Sequence, residues 1–442
     1  MVYQQFCFDI LDLKIGFFTS QSLTTQFNST NVQFYKMSSL GNSQKVSYAI
    51  FISALIVVLL MLTTVVFPAI FSSYFGLNSE NLNAFEFGYQ STFLITSNVI
   101  IFAFGIAYYK KKIPLLLSNV IEKIRTFEIS KRVTILALAV ILGVYIGLSS
   151  PELLLDEGEM WNDYNSVLLP GLEIWPSGES DDIYIQEQND RYVRMFLLDV
   201  SLDIFQNIKL LPFIASILVV LFTYLITAQF CGKRFAGLIA VIVLLQSYTF
   251  LKYDTIAVYE NFWVLFFLIS LYAIQKKWFL SPVFYILAFF TKAYVAPFFI
   301  LTLFTTYRTE IPRRTKIAIL ISYVIVVILA ITLVFSADSV YSDVIEIDER
   351  KFILGFQSIA SQLRFDLFFI MALLPVTVGL LFLSKNNLKH ADSILFLIFG
   401  TILASPLLIT FTFHYEILPY RFVPLLVFFS IGTGMFFSKK LG

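Results

Sequence analysis

Residues 279–306 read FLSPVFYILAFFTKAYVAPFFILTLFTT, a stretch whose single charged residue is Lys292. A run this apolar exceeds the roughly 18 residues that cross a hydrocarbon core, and inside lipid every backbone amide must bond within its own segment, so the stretch is helical. It is also too long for one comfortable crossing. Either one overlong helix spans it, or the chain breaks at Thr291-Lys292 and returns as a second, short helix. The choice sets the side of everything downstream.

Similar apolar runs fall at about 47–72, 92–109, 133–150, 209–230, 235–251, 261–275, 317–336, 366–384, 393–413 and 422–438. With the central stretch broken into 279–291 and 293–306, this makes about twelve segments. Charge decides between the alternatives, because short cytoplasmic loops carry excess Lys and Arg. The basic breaks are Lys110-Lys111-Lys112 through Lys131-Arg132, Lys233-Arg234, Lys276-Lys277, Arg308 with Arg313-Arg314-Lys316, Lys385 with Lys389, and Lys439-Lys440. Twelve crossings put all of them inside, and the acid-bearing loops outside: Glu152 to Asp203, Asp254 and Glu260, Asp338 to Glu349, and Glu416. An overlong central helix would move the Lys385 and Lys439 clusters out. Both termini are therefore expected in the cytosol.

Composition agrees. Of 442 residues 58% are hydrophobic and 14% charged, whereas soluble domains carry about 25% charged residues. The chain is expected to be an all-α polytopic membrane protein, and a soluble globular fold is excluded. A net charge of +1 argues against a nucleic-acid partner. Two cysteines, Cys7 and Cys231, and two histidines, His390 and His414, suggest neither a disulfide framework nor a multi-histidine metal centre. The first forty or so residues lack the pattern of a cleavable signal peptide. The sequon at Asn28 falls on the cytosolic side of this topology, so glycosylation there is discounted.

Three sections are expected: a cytosolic segment 1–46, two additional spans with a basic linker over 47–132, and a catalytic core over 133–442. Two outward segments, about 151–208 and 337–365, are long enough to fold against the membrane surface. Arg194 to Phe205 has the mixed face of an interfacial helix. No internal repeat marks the chain as an inverted-repeat transporter.

The strongest chemical signal is Leu155-Asp156-Glu157-Gly158-Glu159-Met160-Trp161, just beyond the outer end of the third span. Paired carboxylates beside apolar and aromatic residues at an interface can take a proton from an incoming hydroxyl. The plainer alternative is a pair of solvated loop acids. Arg191 and Arg194 follow in the same loop. They can contact a phosphate or salt-bridge the loop acids. Tyr253-Asp254 and Tyr259-Glu260-Asn261 share the next outward turn and can position an acceptor or cap helix ends. Lys292 and Tyr420-Arg421 fall at outer helix ends, where a snorkelling lysine and an interfacial anchor are the simple readings. A divalent ion held by Asp156, Glu157 and Asp254 is conceivable from carboxylate chemistry but is not favoured, so no cofactor is expected.

The order of these motifs resembles the integral-membrane GT-C glycosyltransferases, especially the protein O-mannosyltransferases and aminoarabinose transferases. The resemblance runs from about Val133 to Ala273. Asp156-Glu157-Gly158 matches the family's Asp-Glu motif, with Met160 or Trp161 where an aromatic is common. Arg191 and Arg194 occupy its arginine-bearing loop, although the proline is displaced to Pro212. Phe222-Thr223-Tyr224 through Gly232-Lys233-Arg234-Phe235-Ala236-Gly237 fills the next helix and basic turn. Ala288-Phe289-Phe290-Thr291-Lys292-Ala293 and Leu418-Pro419-Tyr420-Arg421-Phe422-Val423-Pro424 are similar to two further elements of such enzymes.

The resemblance implies that Asp156, seconded by Glu157, deprotonates the acceptor hydroxyl. Lys292 and Arg421 would neutralise the phosphate of a polyprenyl- or dolichyl-phosphate sugar, and Arg191, Arg194, Tyr253, Asp254, Glu260 and Tyr420 would line the substrate. It further implies transfer of mannose or a similar sugar to a protein, lipid or glycan acceptor on the non-cytoplasmic side, with inversion, without a metal. A cell membrane, or the endoplasmic reticulum in a eukaryote, would be its place. Two other classes compete: a secondary transporter or lipid flippase, and a non-catalytic assembly subunit. Transport needs ionisable groups near the bilayer midplane, and the spans are nearly free of them.

Overall fold

The computed structural model describes residues 42–74, 83–176, 180–182, 184–186, 191–336, 348–386, 388, 390–410 and 418–438. Cys7, the Asn28 sequon, Asp338, Asp343, Glu346, Lys389, His414, Glu416, Lys439 and Lys440 lie outside the described residues. Among those described, all regular structure is helical. In chain order the longer helices are α1 (Asn42–Val66), α2 (Ser91–Tyr109), α3 (Leu115–Thr126), α4 (Lys131–Ser149), α5 (Tyr192–Phe205), α6 (Leu210–Cys231), α7 (Arg234–Leu244) and α8 (Phe262–Lys276). They continue with α9 (Leu280–Thr291), α10 (Phe298–Arg308), α11 (Arg313–Ser336), α12 (Glu349–Gln362), α13 (Leu367–Lys385), α14 (His390–Thr410) and α15 (Val423–Met435). Six of them, α1, α2, α4, α6, α13 and α14, are long and apolar enough to cross a membrane. The chain is a helical membrane protein.

Contacts between helix ends define the two ends of the bundle. At one end Phe230 closes α6 and stacks on His390 at the start of α14, with ring centroids 4.4 Å apart. Gln275 at the end of α8 touches both Gln229 and His390. Arg308 at the end of α10 pairs with Asp392, which also accepts from Ser47 near the start of α1 at 2.9 Å. At the other end the last residue of α4, Ser149, meets the loop before α8, and Asp366 before α13 takes a hydrogen bond from Ser247 at 2.6 Å. Helices α6, α8 and α10 therefore run toward the first end, and α1, α4 and α14 away from it.

The central apolar stretch does break. Lys292 is extended, a short 3-10 turn covers Ala293–Val295, and the Tyr285 hydroxyl donates to the Val295 carbonyl at 3.2 Å across the reversal. Lys292 thus lies at the opposite end of the bundle from Arg308. The run at 235–251 is also interrupted: α7 stops at Leu244, and Ser247 caps a separate turn, Tyr248–Lys252, by accepting from the Phe250 amide. Polar Gln246-Ser247 ends the helix because the hydroxyl offers the backbone an alternative partner.

Of the segment 337–365, its described part is mostly the helix α12. It is not laid on a surface but wedged between α1 and α14, with Phe356 and Ile359 buried and the Phe356 carbonyl accepting from Thr64. A Cβ on Gly355 would come within 2.5 Å of the Pro406 backbone, so only glycine lets α12 approach α14 this closely. Helix α1 is likewise built into the bundle, with Ala54, Val58 and Met61 fully buried.

Gly434 of α15 makes the tightest crossing with α6 and α7. A Cβ there would sit 2.7 Å from both the Ala236 carbonyl oxygen and Thr227 Cγ2. Gly434→Leu is expected to destabilise the bundle by about 1–3 kcal/mol through overpacking. A thermal transition of the detergent-solubilised variant equal to that of the native chain would contradict this crossing.

Candidate functional site

The loop from Tyr253 to Asn261 is irregular yet buried throughout, with Asp254, Glu260 and Asn261 each 1% exposed. Buried non-helical backbone must find partners for its amides and carbonyls, and here side chains from distant elements supply them. Glu157 turns inward and accepts from the Ala257 and Val258 amides at 2.9 and 2.7 Å. Arg194 of α5 is buried, pairs with Glu260 at 2.8 Å and donates to the Val258 carbonyl at 2.9 Å. Ser216 donates to the Asp254 carbonyl, and Asn261 Nδ2 to that of Tyr253. Glu157, Arg194 and Glu260 therefore form a clamp on this loop. Burial pushes the Glu157 carboxyl up, while the two amides, Lys209 and Arg194 oppose the shift.

Asp254 faces away from the clamp. Its carboxylate accepts from Ser149 at 2.7 Å, at the end of α4. Burial raises it to about 7, against its hydrogen bond to Ser149. Asp156, Glu157 and Asp254 thus have separate engagements. Among the described residues no group of three or more His, Cys, Asp or Glu gathers that could hold a metal ion.

The clamped loop offers an aromatic face to the last element. Tyr259 stacks on Tyr420 with centroids 4.5 Å apart and donates its hydroxyl to Asp163 at 2.7 Å. Trp161 stands edge-on to Tyr259 at 5.0 Å, and Tyr253 contacts both Tyr259 and Tyr420 at 5.9 Å. Lys292, at the helix break and only 4% exposed, holds its ammonium 3.9 Å above the Tyr420 ring. Arg421 donates from Nε to the Tyr420 hydroxyl at 3.2 Å, with its guanidinium over Tyr294. Arg191, at the start of α5, is near enough for its charge to act on Lys292, Tyr420 and Arg421.

Among the described residues neither Lys292 nor Arg421 has a carboxylate within ion-pair distance. The consequence is a concentrated positive potential. Burial alone would raise the Tyr420 phenol, but Arg421, Lys292 and Arg191 outweigh it and bring it down to about 7. Burial also brings the Lys292 ammonium down to about 8, although Tyr420 and Glu260 pull the other way. Lys292 and Arg421, partly desolvated and without a carboxylate at ion-pair distance among the described residues, can receive an anion.

Asp156 is exposed. It caps the one-turn helix Glu157–Met160, accepting from the Gly158 amide at 2.9 Å through one oxygen. The turn ends at Trp161, whose ring touches Tyr253 and Tyr259. Through these contacts Asp156, Tyr420, Lys292 and Arg421 occupy the same end of the bundle.

Two lysines were not singled out from the sequence. Lys209 is buried and donates to the Glu152 and Leu155 carbonyls, pinning the backbone that leads to Asp156. A cation directly before an apolar helix opposes the helix dipole, and that misfit was the signal that it has another partner. Lys252 is exposed, with its ammonium 5.4 Å from the Trp161 ring and 5.6 Å from that of Tyr253. Nothing in spacing alone connects it to Trp161.

The clamp has a measurable weight. Arg194→Met leaves Glu260 and two loop carbonyls buried without their partner, a loss of about 3–5 kcal/mol. Earlier proteolysis within residues 253–261 and a lowered thermal transition are the expected readouts, and native-like resistance would contradict the clamp.

Compared with known proteins, the chain matches no protein-family model, no curated protein and no solved structure.

Proposed function

We propose that the protein is a glycosyltransferase of the GT-C type. It would move a sugar from a polyprenyl or dolichyl phosphate to an acceptor hydroxyl on the non-cytoplasmic side of the membrane. The observation that carries this reading is the cation pair Lys292 and Arg421 around Tyr420, neither of them within ion-pair distance of a carboxylate among the described residues. About twelve crossings, with the core from residue 133 onward, belong to the same reading.

The chemistry follows from charge. A lipid phosphate leaving group gains negative charge as the glycosidic bond breaks, and fixed cations in a dry site stabilise that charge more in the transition state than before it. Asp156, with one oxygen held by Gly158 and the other without a partner among the described residues, takes the proton of the acceptor hydroxyl. Attack opposite the phosphate inverts the anomeric carbon. The aromatic face of Trp161, Tyr253 and Tyr259 suits the apolar face of a sugar ring or the first isoprene unit.

Purified protein incubated with radiolabelled polyprenyl-phosphate sugars and membrane extract should yield labelled acceptor and free lipid phosphate. Flux of the donor lipid across proteoliposomes without any sugar-linked product would replace this reading with a flippase.

A further inference from the structure

The helix α3 joins α2 to α4 and has no buried residue. At 100° per residue, Leu116, Leu117, Val120, Ile121 and Ile124 fall on one arc and Glu122, Arg125 and Thr126 on the other. Among the described residues nothing buries the apolar arc, with Leu116 78% and Ile124 44% exposed. Short connections to two helices long enough to cross a membrane keep α3 at the bilayer surface. Its occupant is therefore lipid, into which such an arc sinks.

The polar arc bounds a cavity of about 570 Å³, completed by Glu128 and the turn that ends α6. Lys233 in that turn donates to the Arg125 carbonyl at 2.6 Å, tying the two walls together, while Arg234 lies 3.9 Å from Glu128. Lys110, Lys111 and Lys112 before α3, Lys123 within it, and Lys131 and Arg132 after it are exposed. The lining itself holds Arg125, Lys233 and Arg234 against Glu122 and Glu128, a small positive excess that suits one phosphodiester rather than a polyphosphate.

We infer that α3 and the Gly232–Arg234 turn form a binding site for the phosphodiester headgroup of an anionic phospholipid, whose acyl chains run beneath the apolar arc. This site lies at the opposite end of the bundle from Lys292 and does not depend on the transfer reaction. Cations at such a surface contribute roughly a fivefold preference each for an anionic leaflet.

The test uses the full chain in detergent, with lipid retention measured by native mass spectrometry. Phosphatidylglycerol, phosphatidylcholine and inorganic phosphate are offered at equal concentration. Phosphatidylglycerol should be retained over phosphatidylcholine, and Arg125→Gln with Arg234→Gln should cut that preference by roughly ten- to thirtyfold. Leu116→Ser with Val120→Ser should weaken retention of both lipids without moving the thermal transition of the lipid-free protein, since both side chains are exposed. Equal retention of the two lipids, or an unchanged preference in the arginine variant, overturns the site. Displacement of phosphatidylglycerol by equimolar inorganic phosphate would show a free-phosphate site and overturn the lipid assignment.

Discussion

Asp156→Asn is expected to reduce sugar transfer by about 10²–10⁴-fold, the range for removing a general base, while the protein folds and extracts normally. The substitution is clean because Asn keeps an oxygen to accept the Gly158 amide, so the one-turn helix retains its cap. Asp156 is exposed, and no buried partner is orphaned. Transfer should be measured at saturating donor and acceptor with a melting curve alongside. Wild-type turnover in a normally folded variant removes Asp156 from the reaction.

Lys292→Met should lower turnover by about 10²–10³-fold, as loss of one fixed donor to a developing anion does elsewhere. The methionine keeps the apolar stem against Trp263 and Tyr420 but not the charge. The pH profile supplies a second readout. At pH 6 Lys292 is charged and Tyr420 neutral; above pH 8 the lysine has lost its proton and the phenol carries a negative charge. Affinity for a lipid phosphate should therefore fall as pH rises through about 7 and then 8. The two groups titrate as a pair, so Tyr420→Phe should leave one step, from the lysine, at lower pH than before, and Lys292→Met one step, from the phenol, at higher pH. A flat profile from pH 6 to 9 in the native chain would mean that the anion binds elsewhere.

The parts of this fold visible in the sequence are those governed by local composition. Apolar runs marked the spanning helices, and Thr291-Lys292 marked the reversal, because a charge amid apolar residues has to reach an end of the bundle. Asp156 was legible as an outward-facing acid, but its role as the cap of a one-turn helix was not. Helices α3 and α12 were not, since their apolar residues are spread among charges such as Lys123, Arg125, Arg350 and Lys351 and no window is apolar enough to stand out. The partition of roles in the site was also hidden. Glu157 looks equivalent to Asp156 along the chain, but the loop it serves lies about a hundred residues away, and that loop's unsatisfied amides decide which way the carboxylate turns. Arg194 went to Glu260 for the same reason, the ion-pairing alternative already set against phosphate contact.

Residues 253–261 have a consequence for motion. Their amides lack helical partners, so a hydrogen-exchange map would ordinarily be expected to show them among the fastest. Held by Glu157 and screened from water, the amides of Ala257 and Val258 should instead exchange as slowly as those of the neighbouring helices, opening only with global unfolding. A rigid strap of this kind cannot serve as a gate.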